Sequence, residues 1–124
     1  MMSIKEIAKK ETVVAEIVVG REKGETESLI KTGEVVTICD FESCLITNEQ
    51  GNKEVVYAYV VEEHTDKFFF AGHVLRKIFE SIIAHYDGDL SDAYQAMRTE
   101  KLKVRLGEKK TKTKNMVTTV EVVE

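Results

Sequence analysis

The stretch Lys67-Phe68-Phe69-Phe70-Ala71-Gly72, the apolar series Leu75, Ile78, Phe79, Ile82, Ile83 and Tyr86 behind it, and the closing run Lys101-Leu102-Lys103-Val104-Arg105-Leu106 decide the fold. Three consecutive phenylalanines read as a short strand that stops at the glycine. From Leu75 to Tyr86 the apolar residues recur at spacings of three and four, the period of one buried helical face. The closing run reads as another strand. A helix is thus inserted into a chain that is β-rich on both sides.

Upstream, residues 34–47 form a long strand-like run. Val36 and Ile38 share one face early, and Cys44 and Ile46 share one face later. Asp40-Phe41-Glu42 lies between them, and a charged pair around an aromatic inside a strand predicts a bulge or sharp bend. Asn48-Glu49-Gln50-Gly51-Asn52 has the composition of a hairpin turn. Residues 55–62 are the second strand, residues 63–66 a turn, and residues 67–71 the third strand. Downstream, Gly88 is placed to end the helix. A second helix is expected over residues 90–99 from Leu90, Ala93, Tyr94 and Met97, with Asp89 or Ser91 as its cap. Residues 101–106 and 116–123 then pair as a hairpin around a lysine-rich tip.

The first thirty-three residues are less ordered in pattern. Residues 3–10 fit one or two helical turns, residues 12–19 a β-branched strand, and residues 21–32 a loop or short helix. Residues 1–33 are therefore read as an N-terminal arm or extra strand, and residues 34–124 as the main domain.

The chain has 124 residues, the length of one domain that can bury a core without disulfides or metals. Hydrophobic residues make up 43% and charged residues 32%, which excludes a disordered chain. No apolar run approaches the roughly 20 residues of a membrane helix, and the N-terminus lacks a signal-peptide core. A cytoplasmic protein with no membrane partner is expected. Cys39 and Cys44 have no second pair and no clustered histidine, so they read as buried thiols and not as a zinc site. His64, His73 and His85 are scattered, and no serine or cysteine sits in a nucleophile motif. The expectation is no catalysis, no cofactor, no metal and no small-molecule substrate.

The net charge is −4, which argues against binding nucleic acid by overall charge. The average conceals a gradient. From Lys101 to Lys114 seven basic residues face one acid, Glu108, about +6 by count, leaving the remainder near −10. Such segregation fits a loop that contacts a polyanion, and equally the solvated tip of a soluble sheet edge.

Three meandering strands, a helix and a two-stranded hairpin is the element order of the OB-fold, a partly open five-stranded Greek-key barrel. The expected class is mainly β with inserted helices, the helix between strands three and four plugging one end of the barrel. An open α+β sheet with helices packed on one face is the alternative. The run Gly33-Glu34-Val35-Val36-Thr37-Ile38-Cys39-Asp40-Phe41, the strand with Tyr57 and Tyr59, the segment Asp66 to Gly72 and the hairpin ending Thr118-Thr119-Val120-Glu121-Val122 resemble, in their order, the small single-stranded-DNA-binding proteins of phages and mobile elements. That resemblance implies sequence-independent binding of single-stranded DNA in replication or recombination. A protein-interaction accessory module of the same fold, its acidic body facing a basic partner, is the other function considered.

Single strands are held by aromatic rings that stack on bases and by basic residues that track phosphates. If the second and third strands fold about His64 and Thr65, Tyr59 lies opposite Phe70 and Val61 opposite Phe68. Tyr57, Tyr59, Phe68 and Phe70 then share a face and are the candidate stacking residues, unless that face is the core. A slip of one residue would reverse the third strand. Lys109, Lys110, Lys112 and Lys114 on the hairpin tip, Lys53 beside the first turn, and Lys103 and Arg105 on the fourth strand are the candidate phosphate contacts. Unpaired strand edges leave a homo-oligomer open.

Overall fold

A computed structural model describes residues 16–113 and 115–124. In chain order the elements are β1 (Glu22–Lys23), α1 (Thr26–Thr32), β2 (Val35–Thr47), β3 (Lys53–Val61), β4 (Lys67–Phe70), α2 (His73–His85), α3 (Leu90–Glu100), β5 (Leu102–Lys110) and β6 (Met116–Val122), with short 3-10 turns at Glu16–Val18 and Glu62–His64. The helix and strand expectations for residues 3–15 lie outside the described residues.

The strands form one mixed sheet in the order β1-β4-β3-β2-β5-β6, with β1 parallel to β4 and every other pairing antiparallel. Among the described residues, six strands and three helices make the fold mainly β with inserted helices, as expected. The sheet is not the closed five-stranded barrel. Its edges are β1 and β6, because β1 occupies the side of β4 that β3 leaves free, pairing Glu22 with Lys67 and Lys23 with Phe68.

A bulge divides β2. The ladder to β3 passes from Ile38 opposite Val61 to Asp40 opposite Val60, leaving Cys39 as the extra residue. One extra residue inverts the alternation of side chains. Hence Val36 and Ile38 before it, and Phe41 after it, all point to one face and are fully buried there. This inner face carries the main core: Val36, Ile38, Phe41, Tyr59, Val61, Phe69, Val104 and Leu106 pack against Leu75 and Phe79 of α2 and Ala93 and Met97 of α3. Phe41 stacks on Phe79 at 4.4 Å between ring centroids and meets Tyr94 edge-on at 5.0 Å. Tyr94 also fixes α3 to β2, since its oxygen accepts the Ser43 N–H (2.9 Å) and its hydroxyl donates to Ser43 Oγ (3.1 Å).

The helix ends follow the residues foreseen for them. Gly88, in the left-handed region at φ +81°, donates its N–H back to the Ile83 carbonyl and turns the chain out of α2. Asp89 caps α3, its carboxylate accepting the Asp92 N–H.

The connection from β3 to β4 is not a tight turn about His64 and Thr65. The 3-10 turn Glu62–His64 sets Tyr59 opposite Phe69 and Ala58 opposite Phe70. The register is one residue away from that expected. A smaller cluster on the outer face holds Ile17 of the N-terminal turn over Ala58 and Val60, flanked by Phe68 and Phe70.

Candidate nucleic-acid interface

The register decides the fate of the four aromatic candidates. Tyr57 and Tyr59 point inward under α2, with Tyr59 fully buried and Tyr57 8% exposed; their rings lie 6.0 and 6.1 Å from that of Phe79. They are core residues and offer no free ring face to a base, contrary to the expectation of a stacking platform. Burial pushes the Tyr57 phenol up and that of Tyr59 up to about 12. Phe69 takes the inward place beside Tyr59, their rings stacked at 5.6 Å.

Phe68 and Phe70 fall on the opposite, outer face, half-buried, with their rings edge-on at 5.5 Å. The structure therefore does not bring the four rings together. It separates them into a core pair and an outer pair. Lys23, on the neighbouring β1, holds its ammonium 5.5 Å from the centre of the Phe70 ring.

The basic candidates divide by the same alternation. Val104 and Leu106 are buried inward, so Lys103, Arg105 and Lys109 project from the outer face, where Thr37 and Val35 stand opposite Lys103 and Arg105. Lys110, opposite Met116, points to the other side of the hairpin, and Lys112 is exposed at the tip. Lys114 lies outside the described residues. Lys53 is exposed at the start of β3, opposite Thr47 at the far end of the β2–β3 hairpin. Arg105 is engaged: its Nε donates to the Gly33 carbonyl (3.2 Å) and its Nη1 lies 3.4 Å from Glu121. Among the described residues no ion pair is formed by Lys103, Lys109, Lys110 or Lys112.

Outer Phe70 lines up through Ala58 with Glu42, and outer Lys103 with Thr37, so the two lie three strand spacings and five β2 positions apart, on the order of 20 Å. The surface between them is acidic but largely committed. Glu42 accepts the Ile17 N–H (3.0 Å) and Asp40 pairs with Arg98 (3.2 Å). Glu63 accepts both the N–H (2.7 Å) and the hydroxyl (3.0 Å) of Thr37. Burial works to raise the Glu63 carboxyl, but the Thr37 bonds, together with its own backbone N–H and the nearby His64, outweigh it and hold the group below the ordinary range. The N-terminal turn, Lys23 and the Glu63 clasp were not foreseen; the first two lie in a segment whose pattern has no clear period, and the third joins residues 26 positions apart.

Other chemistry is sparse. Burial pushes up both thiols, with Glu62 and Asp40 adding to the effect at Cys39 and Glu42 at Cys44, so neither is a ready nucleophile. No cluster of three metal-ligating side chains occurs among the described residues, and no helix among them is long and apolar enough to cross a membrane. An open cleft of about 570 Å³ separates α2 from α3, lined by Ile78, Ile82, Met97 and Leu102, with Lys77, His85 and Glu100 among its polar positions.

No protein-family model matches the chain, and neither curated proteins nor solved structures give a match.

Proposed function

We propose that this protein binds single-stranded DNA without sequence preference and without catalysis, acting in the cytoplasm in replication or recombination of a phage or mobile element. The observation that carries the reading is the β5–β6 hairpin. It presents Lys103, Lys109, Lys110 and Lys112 exposed and free of ion pairs among the described residues, on a chain whose other surface holds the acidic surplus. Unpaired lysines are what a phosphate backbone can recruit at least cost.

The sheet supports the same reading. The order β4-β3-β2-β5-β6 is that of a five-stranded Greek-key barrel opened between its third and fifth strands. The opening is narrow at one point, for a Cβ on Gly72, just past β4, would lie 3.9 Å from the Thr118 Cβ on β6. In barrels of this kind the outer face of the second and third strands carries the ligand. Here that face holds Phe68 and Phe70, half-buried beside Ile17 of the N-terminal turn, and they replace Tyr57 and Tyr59 as the stacking residues of the proposal.

Titration of the full chain with oligo-dT at two salt concentrations tests the reading. Contacts from four lysines give a slope of log affinity against log salt of about −3, at roughly 0.7 per phosphate on a single strand. No binding at low salt would sink the proposal.

One observation favours a protein-interaction module instead: the apolar cleft between α2 and α3, which takes only Leu102, at the start of β5, from the hairpin. In that case replacing Lys109, Lys110 and Lys112 by alanine leaves partner binding intact.

A further inference from the structure

The two edges of the sheet are built differently. β1 is two residues long and both, Glu22 and Lys23, are charged, which protects that edge from pairing. β6, Met116-Val117-Thr118-Thr119-Val120-Glu121-Val122, has seven residues without proline, glycine or lysine. Its only charge, Glu121, is opposite Arg105 and in contact with it. Met116 is 57% exposed, Val122 56% and Val117 42%. Thr118, Thr119 and Val120 between them are half-buried, with Gly72 close to the Thr118 side chain. Among the described residues no strand other than β5 pairs with β6, and so long and apolar an edge is a template for another strand.

The ladder to β5 shows which backbone groups remain free. Val123 donates its N–H to Lys103 and Thr111 donates to Asn115, so the odd-numbered residues of β6 direct their backbone groups at β5. Met116, Thr118, Val120 and Val122 therefore direct theirs outward. The occupant that matches this row is the same row. Two β6 strands related by a two-fold axis through Thr119 pair Met116 with Val122 and Thr118 with Val120, each pair exchanging two backbone hydrogen bonds.

Side chains agree with that register. On the inner side each exposed Met116 covers a Val122, and on the outer side Thr119 faces its own copy, a favourable cross-strand pair. Val117 comes opposite Glu121. A shift by two residues in either direction leaves outward groups at one end of β6 without a partner.

We infer that the free edge of β6 is a homodimer interface, two copies joining antiparallel about Thr119 into one continuous sheet. The two basic hairpins then lie side by side, so that one strand of nucleic acid could meet both. The dimer itself does not depend on nucleic-acid binding.

The test uses the full chain. Multi-angle light scattering at high micromolar concentration should give twice the chain mass. Thr119→Cys places two thiols across a non-hydrogen-bonded pair, about 4.5 Å between Cα atoms and within disulfide reach, so mild oxidation should yield a covalent dimer. Wild type, with Cys39 and Cys44 only, and Val117→Cys should not cross-link under the same conditions. Thr118→Pro removes an outward N–H without touching the β5 ladder and should give monomers with an unchanged circular dichroism spectrum. A monomeric wild type overturns the inference. So does a dimer that survives Thr118→Pro and gives no Thr119→Cys cross-link, since its interface would lie elsewhere.

Discussion

Gly24 lies so close to Phe69 that a Cβ at this position would stand 2.4 Å from Cε1 of the ring. The backbone there also donates its N–H to the Phe68 carbonyl at 2.7 Å, continuing the β1–β4 ladder. Only a residue without a side chain lets the N-terminal segment lie flat on β4, and with it the sixth strand. Gly24→Ala should therefore destabilise the fold by about 1 to 3 kcal/mol, the usual cost of overpacking a fitted site. The midpoint of urea unfolding reads this. Phe69→Leu, destabilising alone, should recover part of the loss when combined with Gly24→Ala, because the two changes share one clash. Simple additivity would show that the contact is not the cause.

Tyr59 brings a hydroxyl into the core and, among the described residues, leaves it without a hydrogen-bond partner of acceptable geometry. The Thr26 hydroxyl beside it donates instead to the Phe70 carbonyl at 3.3 Å. A buried, unsatisfied hydroxyl costs on the order of 1 to 3 kcal/mol, so Tyr59→Phe should stabilise the protein by roughly 1 kcal/mol. The same group predicts an alkaline transition. Burial raises its pKa from 10 to about 12, so the folded state keeps the proton that the unfolded chain releases. Stability is fully present below pH 10 and falls as pH rises toward 12, by up to about 1.4 kcal/mol per unit. Urea midpoints at pH 9 and 11 should differ less in Tyr59→Phe than in wild type. An equal difference would remove Tyr59 as the source.

Local pattern carried most of the architecture. The period of Leu75 to Tyr86 set the helix, Gly88 and Asp89 set its end and the next beginning, and the turn at residues 48–52 set the first hairpin. What sequence could not fix was a matter of one residue. A 3-10 turn at Glu62–His64, in place of a tight turn, moved Tyr59 from Phe70 to Phe69 and exchanged the faces of three phenylalanines. The stacking candidates followed that exchange. Closure was also beyond local pattern, because β1 reaches β4 from 45 positions away, Glu22 to Lys67.

Lys101 sits at φ 61° and ψ 161°, backbone conformation that is almost the preserve of glycine and costs on the order of 1 to 3 kcal/mol. Its ammonium pairs with Glu62 at the surface, where water screens the pair and leaves it little stabilising weight against that strain. Lys101→Ala loses the pair and keeps the strain, whereas Lys101→Gly loses the pair and relieves it. Thermal unfolding should rank glycine above alanine by about 1 kcal/mol or more. The reverse order would mean the junction between α3 and β5 is not strained.

The exchange of faces makes the stacking proposal separable from the fold. If bases stack on the outer face, Phe68→Leu keeps apolar volume beside Ala58 and Val60 but removes the ring, and binding to oligo-dT should weaken by about 1 to 3 kcal/mol per lost stack, roughly five- to 150-fold. Tyr57→Phe changes a ring that faces Phe79 and should leave affinity unaltered. Fluorescence anisotropy on both variants, at matched salt and with folding verified by circular dichroism, distinguishes the faces. Equal affinity for Phe68→Leu and wild type would confine binding to the lysine hairpin, and a loss confined to Tyr57→Phe would place the nucleic acid on the helical side of the sheet.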